Sequence, residues 1–399
     1  MRLFSLAVLL TFVLGAVGTL GAVSRRNAGV RTVGAQSEPL IVDAQAIDTS
    51  LAQADATAAN AFLGGGIEAA DQRAQYLGSI ANATRLLTDA SQRGGTSVDV
   101  QRPLRDLSSQ LAVYTGLVET ARSNNRQGYP IGAAYLRQAN LLMTRTVLPA
   151  AQQLYDVYLA RLKGGDRRAR SAHDTALVGF LLILVLGAGG GSLVWLYRRT
   201  NRLVNLPLAI AAALAAVLLA VVVIDLRSEA AQAGAARDTS FATVNLLAQA
   251  RIAAFSAKAD ESLTLIARGN GQSFDASFNS ESANMVTLVQ QAQSAGAGTA
   301  VQAYLSVHKK IRNLDDGGQF DQAVKLAVGG GSASAANQAF TTLDRTLSAE
   351  LDTNQAAFVS HIGAARNHLR ALTPAVVIVM LAAVLLALFG FQQRINEYR

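Results

Sequence analysis

Cysteine is missing from the sequence altogether, which excludes disulfide staples, thiolate metal sites and a thiol nucleophile. The fold must hold by packing alone. Aromatic residues make up only 6% of a chain that is 51% hydrophobic, so alanine and leucine supply the apolar content and helix is favoured over strand. Histidine is scarce as well: His173, His308, His361 and His368 offer no His-x-x-x-His or His-Glu-x-x-His spacing that would hold a metal on one helix face. The Gly-x-x-x-x-Gly-Lys-Ser/Thr loop and the Gly-x-Ser-x-Gly elbow are absent too, and the glycine clusters follow helical rather than strand-like segments. The expectation is a chain that is not an enzyme and has neither cofactor nor metal.

Charge is absent from four apolar runs, 3–23, 175–197, 206–224 and 374–391. Each is close to the ~20 residues that cross a bilayer as a helix. Intramembrane charges usually mark ion or proton pathways, so a channel or pump is disfavoured. The loop between the second and third runs, 198–205, lacks acids and carries Arg198, Arg199 and Arg202. Short basic loops stay cytoplasmic. That places residues 1–2, 198–205 and 392–399 inside and the polar segments 24–174 and 225–373 outside, in a multi-pass protein of a bacterial plasma membrane with both termini cytoplasmic. A cluster at Arg161, Lys163, Arg167, Arg168 and Arg170 opposes this assignment weakly, because long segments are exported largely regardless of charge. The first run, followed by Ala22-Val23-Ser24, could also be read as a signal peptide, but it is longer than the usual ~7–15 apolar residues. A retained anchor is expected.

The net charge of +8 is unevenly spread. Segment 24–174 has 17 basic and 13 acidic residues, and segment 225–372 has 12 and 13; the rest has six arginines and one glutamate. The largest excess therefore lies at the membrane rim, which fits contact with membrane lipids and argues against nucleic acid as a partner.

In 24–174, Leu104, Leu107, Leu111, Tyr114 and Val118 recur at helical spacing, as do Leu148, Ala151, Tyr155, Tyr158 and Leu162. Glycine-rich breakers divide the segment into helices at roughly 40–63, 67–92, 98–125 and 130–163. That is the plan of an antiparallel four-helix bundle. Segment 225–373 repeats it, with breakers at 269–271, 296–298, 315–318 and 329–331. Ala54-Asp55 precedes Gly64-x-Gly66 as Ala259-Asp260 precedes Gly269-x-Gly271, which points to a duplicated module. The fold class expected is an all-α membrane protein with four transmembrane helices and two exported four-helix bundles.

Up-and-down topology puts the turns at 64–66 and 124–130 together at one tip, and those at 269–271 and 315–318 together at another. The first tip gathers Arg122, Asn124, Asn125, Arg126 and Tyr129, chemistry suited to a carboxylate ligand or an acidic patch on a partner. A plain solvated turn would use the same Asn, Gly and Pro residues for backbone geometry. Arg198, Arg199 and Arg202 are the matching candidates for a cytoplasmic partner, with headgroup anchoring as their other use. Gly187 and Gly191 have the small-xxx-small spacing of close helix packing or a homodimer. Pro374 starts or hinges a helix where the fourth run begins, and Gly164-Gly165 interrupts the approach to the second.

A bundle between two spans is similar in architecture to the sensor domains of bacterial chemoreceptors. More specifically, residues 56–65, 121–128 with Tyr135-Leu136-Arg137, and 260–269 resemble four-pass membrane proteins of actinobacteria of the GlnX type. The resemblance implies a link between an extracellular amino-acid-binding lipoprotein and a cytoplasmic serine/threonine kinase. It implies no catalytic motif. The function expected is therefore a transmembrane adaptor or sensor that relays an amino-acid signal to a separate protein. The alternatives are a non-switching scaffold of an envelope complex and a direct small-ligand sensor.

Overall fold

A computed structural model describes residues 2–32, 38–95, 97–169, 172–200, 205–228, 234–329 and 333–396. Among them there is no strand, and the chain is an all-α four-pass membrane protein. In order, the helices are α1 (Arg2–Thr32), α2 (Glu38–Gly64), α3 (Ala70–Arg93), α4 (Val98–Arg126), α5 (Ile131–Leu142), α6 (Leu148–Ala169), α7 (Ala172–Thr200) and α8 (Leu206–Ser228). They continue as α9 (Gly234–Ile266), α10 (Gln272–Gln291), α11 (Ala295–Asp316), α12 (Phe320–Val328) and α13 (Ala335–Asn396). One turn of π-helix, Met143–Val147, separates α5 from α6. Pro149 stands two residues beyond it, and a proline there cannot donate to the carbonyl one turn back.

The chain forms two compact units. The first comprises Met1–Gln36, Leu162–Asp238 and Phe358–Arg399; the second comprises Ser37–Arg161 and Thr239–Ala357.

The first unit holds the four apolar helices long enough to cross a membrane, at Leu6–Ala28, His173–Trp195, Leu206–Asp225 and Leu372–Gln393. They share a core that includes Phe12, Val185, Leu219, Val222 and Met380. Leu10, Val17, Phe180, Ile183 and Leu385 point outward and are exposed, an apolar surface too large for water and matched to lipid tails. Hydroxyls within the spans bond to their own helices: Thr19 Oγ1 donates to the Gly15 carbonyl at 2.7 Å, and Ser192 Oγ to that of Gly189 at 2.7 Å. Pro374 lies inside the unbroken α13, and Gly164 lies inside α6.

Gly187 and Gly191 do not serve close packing between the spans. A Cβ added at either would meet nothing within 4 Å, whereas one at Gly189 would lie 2.7 Å from the Ala212 Cβ. The 3.6-residue period explains this, since positions two residues from Gly189 face away from α8. Gly189→Leu is expected to lower stability by about 1–3 kcal/mol through overpacking, with Gly187→Leu and Gly191→Leu near the parent. Unfolding of the three variants in detergent would show it, and equal melting of all three would refute the packing.

The second unit brings together helices from both long inter-span segments. Its centre is α2 and α9: no residue from 41 to 61, nor from 244 to 267, is exposed. α2 packs extensively on α3 and also meets α4, α12 and the π turn, while α4 packs on α5 and α11 on α12. Bonds join the two segments. Asn60 and Asn337 exchange side-chain hydrogen bonds at 3.1 and 3.2 Å, and Asn245 Oδ1 accepts from Tyr155 OH at 2.6 Å. The expected break at 296–298 falls earlier, where Ser294 caps α11 by accepting from the Ala297 amide at 3.0 Å.

Candidate functional site

A helix buried all round is ordinarily hydrophobic all round. α2 and α9 depart from this, and α9 buries Lys258, Asp260 and Glu261 in succession around its own turn. Glu261 accepts from Lys258 Nζ at 2.6 Å through one oxygen and contacts His308 Nδ1 at 2.9 Å through the other. The His308 ring stacks on Phe278 with centroids 3.4 Å apart. Burial alone would raise the Glu261 carboxyl, but Lys258 and His308 together hold it down at about 2.

The neighbouring aspartates go the other way. Burial pushes Asp55 up to about 6, against hydrogen bonds from Asn140 Nδ2 at 2.7 Å and Tyr114 OH at 3.1 Å. Asp260 is pushed to about 7, by burial first, with a Ser277 hydrogen bond opposing and the Asp55 and Glu281 charges adding to the rise. Asp48 also reaches about 7 through burial, and its Oδ1 has no hydrogen-bond partner among the described residues.

These interior acids lie below an end of the unit where four turns gather. On the α2 side, Arg122 pairs with Glu68 and, at 2.7 Å, with Glu119. Asn125 Nδ2 donates to the Phe62 carbonyl at 2.9 Å, so the turn after α2 and the turn after α4 are tied together, as the topology predicts. On the α9 side, Arg312 Nε contacts Asp275 Oδ1 at 3.2 Å, and its two terminal nitrogens contact Asp315 at 2.7 Å and Asp316 at 2.6 Å. Leu63 packs against the cluster that holds Leu265 and Ile311. Both pairs of turns therefore belong to one end.

The residues singled out at the first tip have different uses. Arg122 is engaged by two glutamates, although its buried Nε has no partner among the described residues. Asn124 serves the turn: its side chain donates to the Thr120 carbonyl at 2.8 Å, and its own carbonyl accepts from the Gln127 and Tyr129 amides. Gly128 closes that turn at φ 74°. Arg126 lines a cleft of about 360 Å³ with Glu119, Arg122, Ser123 and Gln127, and Tyr129 is exposed.

A second cleft, of about 510 Å³, opens between α9, α10, α11 and α12, lined among others by Arg268, Asp275, Arg312, Asp315, Asp316 and Phe320. The sequence sets Asp260, Glu261 and Arg268 beside the turn at 269–271 with Asp315-Asp316 facing them, a group that reads there as a helix cap or solvated charge pair rather than a site. The cleft itself is visible only in the structure.

Of the three arginines expected to meet a cytoplasmic partner, Arg198 is exposed at the end of α7, the side chain of Arg199 lies outside the described residues, and so does Arg202. Next to them, Asn205 is buried. Its Nδ2 donates to the Gly390 carbonyl at 2.7 Å and its Oδ1 accepts from the Leu208 amide at 3.4 Å, so it caps α8 and ties it to α13. At the other end of the spans, Arg25 pairs with Asp174 at 2.7 Å.

Compared with known proteins, residues 29–166 match the family model described as an actinobacterial sensor domain. Among the curated proteins and the solved structures there is no match.

Proposed function

We propose that a chain whose residues 29–166 match a sensor domain acts as a transmembrane signalling protein of a bacterial plasma membrane, reading an extracytoplasmic signal and passing it to a separate cytoplasmic protein. The match is the observation that carries this reading. It sits on the same stretch that supplies the tip residues Arg122, Arg126 and Tyr129. In the finer form of the proposal the signal is an amino acid, delivered by a solute-binding lipoprotein that docks on the turn end of the helical unit, and the receiver is a serine/threonine kinase. No catalytic or cofactor chemistry is assigned to the chain. The repeated Ala-Asp before each Gly-x-Gly turn is read as the trace of a duplicated module.

Output is assigned to the cytoplasmic face, through Arg198, Arg199 and Arg202. The Asn205 to Gly390 hydrogen bond supports a joint response, because a shift of α13 along its axis would carry the start of α8 with it. A signal can act only by favouring one arrangement of these helices over another.

The test is a photo-crosslinking residue in place of Arg198 in living cells, with and without amino-acid supply. Recovery of a kinase in amounts that change several-fold with supply is expected. Recovery of lipid adducts alone, under both conditions, would leave headgroup anchoring as the role of the loop. Replacing all three arginines with Gln, with topology preserved, is expected to abolish the nutrient response.

A further inference from the structure

The cleft at the end of α9 is built from opposed charges that do not cancel. Arg312 draws three carboxylates, Asp275, Asp315 and Asp316, and takes a single oxygen from each. That group keeps two negative charges in excess. Arg268 lines the same cleft, yet among the described residues it makes no ion pair; its guanidinium carbon instead stands 4.8 Å from the centre of the Phe320 ring. A cation on an aromatic face keeps its in-plane donors available.

The backbone beneath Arg268 is unusual for its side chain. Arg268 has φ 42°, in the left-handed region, whereas the corresponding turn after α2 places Gly65 and Gly66 there. An L side chain is strained in that region. The turn is also drawn tight, since a Cβ on Gly271 would lie 2.6 Å from the Thr264 carbonyl oxygen. Arg268 is thereby presented at the rim of the cleft, with Phe320 beside it.

We propose that this cleft binds a small zwitterion, its carboxylate paired with Arg268 and its ammonium set against the Asp315 and Asp316 oxygens that Arg312 leaves open. A pure anion would face the acidic excess, and a pure cation would leave Arg268 without a counter-charge. A divalent metal fits poorly, because no group of three potential ligands converges among the described residues. A free α-amino acid carries the two charges at short separation, and a cleft of this size lies within the usual range for small-molecule sites. The inference rests on the sensor reading for its biological use, and makes the helical unit itself a receptor for the signal.

The experiment uses the full chain in detergent and isothermal titration with each proteinogenic amino acid, alongside its N-acetyl and carboxamide derivatives. At least one free amino acid is expected to bind saturably, with about tenfold or greater loss on blocking either charged group. Arg268→Gln is expected to weaken binding by about tenfold or more, and Asp316→Asn, at an exposed carboxylate, by a similar factor. If Arg268→Gln fails to fold, Asp316→Asn decides. Absence of saturable binding, equal binding of the blocked derivatives, or binding indifferent to Asp316→Asn would overturn the proposal. A supply-dependent cross-link from position 198 without any zwitterion binding would refute the cleft and keep the sensor reading. Binding without any such cross-link would keep the cleft and refute the relay.

Discussion

Glu261→Ala is expected to destabilise the folded chain by about 3–5 kcal/mol, because it strands a buried ammonium. The Lys258 side chain is 4% exposed and that of Glu261 only 1%, so water cannot replace the lost carboxylate. His308 would lose its partner as well, while still held against Phe278. Against a total stability of about 5–15 kcal/mol for ordinary domains, this is a large fraction. Asp352→Ala, at an exposed carboxylate on α13, is the control and should unfold like the parent. Joint replacement of Lys258, Glu261 and His308 by apolar residues of similar volume should recover most of the loss, since the charges stabilise one another more than they stabilise the fold. Melting curves in detergent would settle it; a Glu261→Ala chain that melts with the control would mean that the triad is solvated.

Stability should fall as pH rises from about 5 to 8, by an amount on the order of 5 kcal/mol. The reason lies in Asp48, Asp55 and Asp260, whose folded carboxyls are pushed up to about 7, 6 and 7 from an unfolded value of 3.8. Between about 4 and 7 the folded state therefore holds more protons than the unfolded state, and its advantage is lost as those protons leave. Glu261 works in the opposite window. Its folded value of about 2 lies below its ordinary 4.5, so its contribution is complete above about 4.5 and vanishes as pH drops towards 2. The two effects leave a stability maximum in mild acid. Asp48→Asn should remove roughly two-fifths of this fall, its gain at pH 8 exceeding that at pH 5 by about 2–3 kcal/mol. A melting temperature that stays level or climbs between pH 5 and 8 would show that these acids reach water.

These effects arise in a region that periodicity describes poorly. The faces of α4 and α6 are legible because one stripe of each helix is apolar, with Leu104, Leu107, Leu111, Tyr114 and Val118 all buried as the spacing requires. The turns are legible for a similar local reason: Gly65, Gly66, Gly128, Gly269 and Gly318 all adopt positive φ, which their lack of a Cβ permits. α2 and α9 carry no comparable stripe, since they are covered on every side and several of their polar residues, Asp55 and Glu261 among them, find partners on other helices. Tyr114 and Asn140, which hold Asp55, lie 59 and 85 residues away in the chain. The Ala-Asp echo that suggests duplication marks Asp55 and Asp260, but nothing local says that the carboxylates point inward.

By itself, the sequence determined the all-helical class, the four spans, the positions of most turns and which turns pair within each inter-span segment. These follow from hydropathy, helical period and glycine geometry, which act over a few residues at a time. Only the tertiary structure decided that helices from the two long inter-span segments share one compact unit, that Arg122 is engaged by Glu68 and Glu119, and that Gly189 rather than Gly187 or Gly191 meets α8. It also decided that Arg268 lines one cleft with three aspartates. Each of these depends on which side chains meet across helices far apart in the chain, where long-range packing and the desolvation of charge outweigh local preference.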